Sequence, residues 1–306
     1  MKRKIRRPQV HKPHPATIKK IPTDLTKLRI KPPLQQTSAL VGALLIGIEY
    51  VQYAQEQKMA RLPGCHTDVQ ALKKLLTTQY CLQEPQIITL TDDNPTGLPT
   101  RANIEGALKR LTSWAASGHA GSKIIFYYSG HGTQQTDVSQ DELDGWDECV
   151  VPCDYQEAGV ISDDSLAFLL FNALPATSAC VAIVDACNSG SMFDLPWVYD
   201  AATQTWVSNA KTMTTYPASI ITLSGCRDDQ ASASACFGTE GWRGALTFIL
   251  QQILCATPAA TNRDVMTSCL TRLEKQSFSQ KPQMCSSHAH IQRLNEIFFS
   301  VPTKQT

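Results

Sequence analysis

Four short apolar runs constrain this chain more than any other feature: Ala39–Ile48 (ALVGALLIGI), Lys123–Tyr128 (KIIFYY), Ala179–Val184 (ACVAIV) and Ala218–Leu223 (ASIITL). Each is too short to cross a bilayer as a helix, so no transmembrane segment is expected. Near-continuous apolar strands of this kind are covered on both faces, as in a parallel sheet. Between them, apolar residues recur at helical spacing: Val69, Leu72, Leu75 and Leu76 in one stretch, Ile104, Ala107, Leu108 and Leu111 in the next. A third set, Leu166, Leu169, Leu170 and Leu174, follows Ser162, and Thr100 and Ser162 are suited to cap the helices they precede. Gly244–Leu254 and Arg263–Leu273 also read as helices, and Ile87–Leu90 and Cys149–Cys153 as short extended pieces. The rhythm predicts an α/β fold with a mainly parallel central β-sheet and helices on both faces.

Charge divides the chain. Residues 1–36 hold eleven Lys or Arg against one acid, Asp24, whereas the other 270 residues carry a net charge of −9. A basic, proline-containing arm (1–36) is therefore expected ahead of one globular unit (37–306), the arm partly disordered or lying on the acidic body. Within that unit a large part (about 37–200), a linking loop (about 200–217) and a small part (about 218–306) are expected. No apolar stretch follows the basic N-terminus, so no secretory signal is expected. Eleven cysteines without a single C-x-x-C pair form neither a disulfide framework nor a zinc pattern. A reducing, cytoplasmic home follows, with the arm compatible with a nuclear address, and Cys81, Cys180, Cys255 and Cys269 read as core thiols.

Ligands in such sheets sit beyond the carboxyl ends of the strands. There the chain concentrates small and reactive residues: Ser129-Gly130-His131-Gly132 after one run, Asp185-Ala186-Cys187-Asn188-Ser189-Gly190 after another, and Ser224-Gly225-Cys226 after a third. Gly64-Cys65-His66-Thr67-Asp68 forms a turn after the first. An imidazole held between two glycines permits close approach and positive φ. A thiol at the neighbouring strand end can give its proton to that ring and become a nucleophile. Residue chemistry alone leaves a core cysteine and a turn histidine as an equal alternative.

The pair YYSGHG and DACNSG resembles the catalytic core of the caspase-like peptidases, and specifically the type I metacaspases. The likeness runs from about Ala39 to the last strand and helix, nearly the whole chain past the arm, through GCHTDV, DELDGWDECVVPCD, ISDDSL, FDLP and SGCRDDQAS. Asn188 departs from the family's usual histidine. The resemblance implies a caspase-like sandwich and a cysteine endopeptidase with a His131–Cys187 dyad. Its oxyanion donors would be Gly132 and Cys187. Cys65, Asp68, Ser129 and Asp185 would line a pocket for the residue before the scissile bond and accept Arg or Lys, as two carboxylates in a recess would. It further implies activating calcium (Ca2+) on Asp147, Asp163, Asp164 and Asp194, although spacing alone reads Asp163 and Asp164 as first-turn helix acids. The ion would order Ser191–Pro196. A monomer is expected, acting on protein or peptide substrates and made as a zymogen. The arm, around Lys19–Lys20 or Lys27–Arg29, would be an internal brake or self-cleavage site, and Lys211 another processing site. No base-reading motif accompanies the arm, so a nucleic-acid partner is not expected. The competing reading is a catalytically silent caspase-like scaffold for protein interaction.

Overall fold

The computed structural model describes residues 41–299 apart from 53–58, 118–120, 138–144, 191, 210–213, 228–229 and 231. The basic arm, its lysine pairs and Lys211 lie outside the described residues.

The apolar runs become the middle of an eight-stranded sheet. β1 (Val41–Gly47), β2 (Ile87–Thr91) and β3 (Lys123–Ser129) are parallel neighbours in the order β2-β1-β3. A small three-stranded sheet follows from β4 (Gly132–Thr136), β5 (Trp146–Val150) and β6 (Ile161–Ser162). Next to β3 runs β7 (Ala179–Asp185), again parallel. Then come a hairpin, β8 (Trp197–Asp200) and β9 (Thr205–Ser208), and the last parallel strand, β10 (Ser219–Ser224), beside β7. A three-residue ribbon, β11 (Ser234–Cys236) with β12 (Trp242–Gly244), stands apart. Finally β13 (Gln283–Ser286) pairs antiparallel with both β10 and β8, giving the order β2-β1-β3-β7-β10-β13-β8-β9. The loop expected over 200–217 is corrected in part: β8 and β9 form a hydrogen-bonded pair whose Tyr199 and Trp206 are buried and pack edge to face.

Strand periodicity decides which helix lies where. Along β3, Ile125 and Tyr127 enter one core cluster, while Ile124, Phe126 and Tyr128 enter the other. On the first face lie α1 (Cys65–Thr78), with α4 (Ala245–Ala256) and α5 (Asn262–Lys275); on the second, α2 (Arg101–Ala116) and α3 (Asp163–Leu170). The helices therefore cover both faces. Leu246, Phe248, Ile249, Leu250 and Leu254 of α4 are 0–2% exposed. Burial of each such side chain is worth about 1.5–3 kcal/mol, so packing holds α4 in place. Both expected caps form: the Thr100 side chain accepts from the Asn103 N–H and that of Ser162 from the Ser165 N–H. α3 ends at Leu170, short of Leu174, which packs in the same core from beyond the helix. The segment Gly64–Asp68 is no turn, because α1 begins at Cys65 with Gly64 as its N-terminal cap at φ 108°. None of the eleven cysteines is in a disulfide, and Cys81 and Cys255 are only half-buried. Among the described residues, no helix is long and apolar enough to cross a membrane.

Candidate active site

Parallel register brings the motifs to one rim. Gly47, Ser129 and Asp185 are successive partners across β1, β3 and β7, so His131 and Cys187 each lie two residues beyond a matched pair. Two tyrosine hydroxyls hold the histidine backbone. The His131 N–H donates to the Tyr50 hydroxyl (3.0 Å), and the Tyr128 hydroxyl donates to the His131 carbonyl (2.8 Å). The imidazole packs on the Tyr50 ring at 4.7 Å between centroids.

Neither flanking glycine has a left-handed φ, which corrects that part of the sequence expectation. Close approach explains both. A Cβ on Gly130 would lie 2.6 Å from the Tyr128 hydroxyl, and one on Gly132 would lie 1.9 Å from the Cys187 carbonyl oxygen. Any larger residue at either position would push His131 or Cys187 out of register. The bond from the Val151 N–H to the His131 carbonyl makes Gly132–Val150 a pair that exchanges no hydrogen bonds. The Gly132 N–H, on the edge strand of its sheet, is thereby left out of the ladder.

The His131 Nε2 lies 2.8 Å from the Ala60 carbonyl oxygen. A carbonyl only accepts, so Nε2 carries the proton and Nδ1 keeps the lone pair a base needs. Sequence motifs could not reveal this third group, because it is a backbone atom. Burial lowers the His131 pKa, against the pull of that carbonyl, and burial raises that of Cys187, whose Sγ lies 3.9 Å from the Ser232 carbonyl. Both shifts favour the uncharged forms, imidazole and thiol.

Around His66, one helical residue past Cys65, three acids converge. Its Nε2 is 2.5 Å from Asp92, while Nδ1 is 3.5 Å from Asp93 and 3.8 Å from Glu49. The Asp92 carboxylate also accepts from the N–H groups of Glu49 and Tyr50, which fixes the tyrosine that clamps His131. Burial pulls the His66 pKa down, but the Asp92 hydrogen bond and the acids outweigh it, and the net shift is upward. A raised histidine stabilises the fold below its ordinary pKa of 6.5 and loses that contribution as pH rises through the folded value. His66→Gln is therefore expected to cost on the order of 0.5–1 kcal/mol after screening at about pH 5 and less at about pH 9. Urea midpoints of both proteins at the two pH values check this; a difference that grows with pH would refute it.

The four expected pocket residues also meet. The Cys65 and Ser129 side chains are hydrogen-bonded, Asp185 raises the charge cost of Asp68, and all four are at most 5% exposed. The sequence alone leaves both carboxylates open; in the fold they are engaged. Arg243 Nε donates to Asp68 Oδ1 (2.5 Å), and the Gly244 N–H donates to Asp68 Oδ2 (2.8 Å). Asp185 accepts from the Ser232 hydroxyl (2.5 Å) and from the Thr247 N–H and hydroxyl (3.0 and 2.7 Å). Burial raises both acids, Asp68 to about 7 despite Arg243. Arg243 comes from β12, 175 residues further along the chain than Asp68, so no local spacing could announce it.

A second acidic group lies around the N-terminus of α3. Asp163 is 2% exposed, its Oδ2 has no hydrogen-bond partner among the described residues, and burial raises its pKa, reinforced by Asp194, Glu148 and Asp164. Strand alternation puts Asp147 and Glu148 on opposite faces of β5. Gln135 Nε2 donates to Asp147, and Gln134 Nε2 to Glu148 (3.0 and 3.1 Å). Glu148 is thus a fifth acid that sequence reasoning missed. Among the described residues, no three side chains form a ready metal-ligand set. Asp194 is in the loop after Cys187, where Asn188, Phe193 and Asp194 all have positive φ (51°, 79° and 43°). Asp194, seven residues after Cys187, raises the charge cost of Asp163.

Comparison with known proteins agrees with this geometry. A family model described as metacaspase, peptidase C14 domain, matches residues 42–196. "Metacaspase-1" of Schizosaccharomyces pombe is 30% identical over 295 residues, covering 80% of this chain and 67% of that protein. "Metacaspase-1" of Cryptococcus neoformans is 32% identical, covering 80% and 62%, and "Metacaspase-1" of Pyricularia oryzae is 32% identical, covering 80% and 71%. The chain thus spans roughly two thirds of the length of these relatives. Protein GSU0716 from Geobacter sulfurreducens shares the fold, with a TM-score of 0.61 at 23% identity over 86% of this chain and 99% of that one.

Proposed function

The chain belongs to the metacaspases, caspase-like cysteine peptidases, and on that premise we propose that it is an endopeptidase that cleaves proteins after Arg or Lys. The observation that carries the reading is the shared rim: His131 and Cys187 two residues past one strand register, with the buried acids Asp68 and Asp185 next to them. Two buried carboxylates facing the single charge of Arg243 leave negative charge uncompensated, and a substrate's basic side chain is the complementary partner.

In this mechanism His131 Nδ1 takes the Cys187 proton as Sγ attacks the carbonyl carbon of the basic residue. The Gly132 and Cys187 N–H groups stabilise the oxyanion. The C–N bond then breaks as His131 gives its proton to the leaving amine. Water, deprotonated by the same ring, opens the thioester, and the proton returns to the sulfur. The Ala60 carbonyl keeps the imidazole in the tautomer these steps need.

Calcium completes the reading. Asp163, Asp164 and Asp194 would hold it, with Asp147 as the fourth acid implied by the family and Glu148 as a neighbour. The uncompensated Asp163 Oδ2 and its raised pKa fit a cation there. Bound there, the ion would supply positive charge to offset the acids, and Asp194 would then tie the loop that follows Cys187 to Asp163 and Asp164. Self-cleavage in the arm or at Lys211, monomeric behaviour and a cytoplasmic location belong to the same proposal.

Fluorogenic peptides ending in Arg, Lys or Asp, assayed with millimolar calcium or with EDTA, test specificity and activation together. Hydrolysis of the Arg and Lys peptides only, at least about tenfold faster with calcium, is expected, with a rise in melting temperature from binding to the folded state. Preference for Asp would overturn the specificity, and equal rates and melting with EDTA would overturn the metal. Intact-mass spectrometry of the calcium-treated protein checks for cleavage at Lys211.

A further inference from the structure

The recess proposed to take a substrate cation already contains one. Arg243 is 1% exposed, and Phe248 lies beneath its guanidinium at 5.5 Å. Its Nε donates to Asp68, and its Nη2 donates to Gln251 at 2.8 Å. Gly244, the next residue, packs so tightly between the two acids that a Cβ there would lie 2.3 Å from Asp185 Oδ2 and 3.0 Å from Asp68 Oδ2. Each carboxylate oxygen of Asp68 and Asp185 already accepts from Arg243, Gly244, Ser232 or Thr247.

We infer that Arg243 is a specificity-determining residue that occupies the acidic recess with the chain's own guanidinium, so that a substrate's basic side chain is bound only by displacing it. This rests on the recess being the subsite for Arg or Lys. Two features make displacement physically reasonable. Arg243 lies in the short two-stranded ribbon β11–β12, paired with Ala235 and not part of the main sheet, so it can shift without breaking the parallel strands. A substrate guanidinium would restore to Asp68 the charge that Arg243 withdraws, so the exchange trades like for like. Basic substrates then compete with an intramolecular ligand at high effective concentration. That competition weakens their binding while leaving the reaction at Cys187 itself unchanged.

The test compares two electrophiles on Cys187 of the full chain, followed by mass spectrometry of the Cys187 peptide so that other thiols do not count. Iodoacetamide is small and uncharged and reports on the thiol; an arginyl chloromethyl ketone must also fill the recess. In Arg243→Gln the ratio of ketone to iodoacetamide rate is expected to rise at least about tenfold, the scale of one charge-assisted pairing. Folding of this variant is favoured because Asp68, already at about 7, can take up a proton once unpaired. Arg243→Lys, which keeps the charge but loses the Nε–Nη2 fork, supplies a second measurement and is expected to raise the ratio severalfold. An unchanged or lower ratio in either folded variant overturns the inference. If instead an aspartyl ketone outpaces the arginyl one in wild type and variants alike, the Arg/Lys reading of the recess itself falls.

Discussion

Replacing Cys187 by Ala is expected to remove peptide hydrolysis by at least about four orders of magnitude while leaving the melting temperature within a few degrees of the parent. The thiol is half-buried, and among the described residues its Sγ makes one weak interaction, with the Ser232 carbonyl. Its removal therefore costs little packing, whereas without Sγ no acyl-enzyme can form. His131→Ala is expected to approach the same loss in kcat, and the double variant to add almost nothing, because the two groups act on one proton. The activity ratios and a thermal melt on each variant check this. Residual hydrolysis in Cys187→Ala within tenfold of wild type would mean that another group is the nucleophile, whereas no hydrolysis by the parent protein would favour the silent-scaffold reading.

The largest stability effect is expected at Asp68. Its carboxylate and the Arg243 guanidinium are 0% and 1% exposed, and the guanidinium cannot shed its proton to escape burial. Asp68→Ala strands a permanent charge inside the fold and is expected to cost about 3–5 kcal/mol in urea denaturation. The pair Asp68→Leu with Arg243→Met should restore most of that loss, because removing both charges avoids the desolvation that neither can bear alone. A cost below about 1 kcal/mol for the single change would mean that Arg243 reaches water in solution. That outcome is informative for specificity as well, since a guanidinium free to leave is one that no longer guards the recess.

Much of this architecture was legible in the sequence because parallel strands buried on both faces leave nearly continuous apolar runs. Those runs became β1, β3, β7 and β10, and their small polar ends became the rim. The helices carried equally clear signals, down to the Thr100 and Ser162 caps. What escaped notice is explained by physics rather than by chance. The short strands β4 (GTQQT) and β13 (QMCS) are too polar and too brief to stand out, and β11 and β12 are three residues each. Ala60 acts through its carbonyl, for which the identity of its side chain is irrelevant. Glu148 was hidden beside Asp147, since only the pleat of β5 decides which of two adjacent acids faces Asp163. Arg243 was invisible for the opposite reason: its partner is set by tertiary packing between α1 and the entry to α4, which no local pattern encodes.

The strand order has a consequence for what a severed chain would be. In space, β10 and β13 lie between β7 and the β8–β9 hairpin, although both come later in sequence than the hairpin. A cut in the segment joining β9 to β10 would therefore yield two polypeptides woven through each other. The C-terminal piece would be gripped on one side by β7 and on the other by β8. Peeling it away would mean tearing two rows of backbone hydrogen bonds at once, so scission there would free chain ends without releasing a fragment.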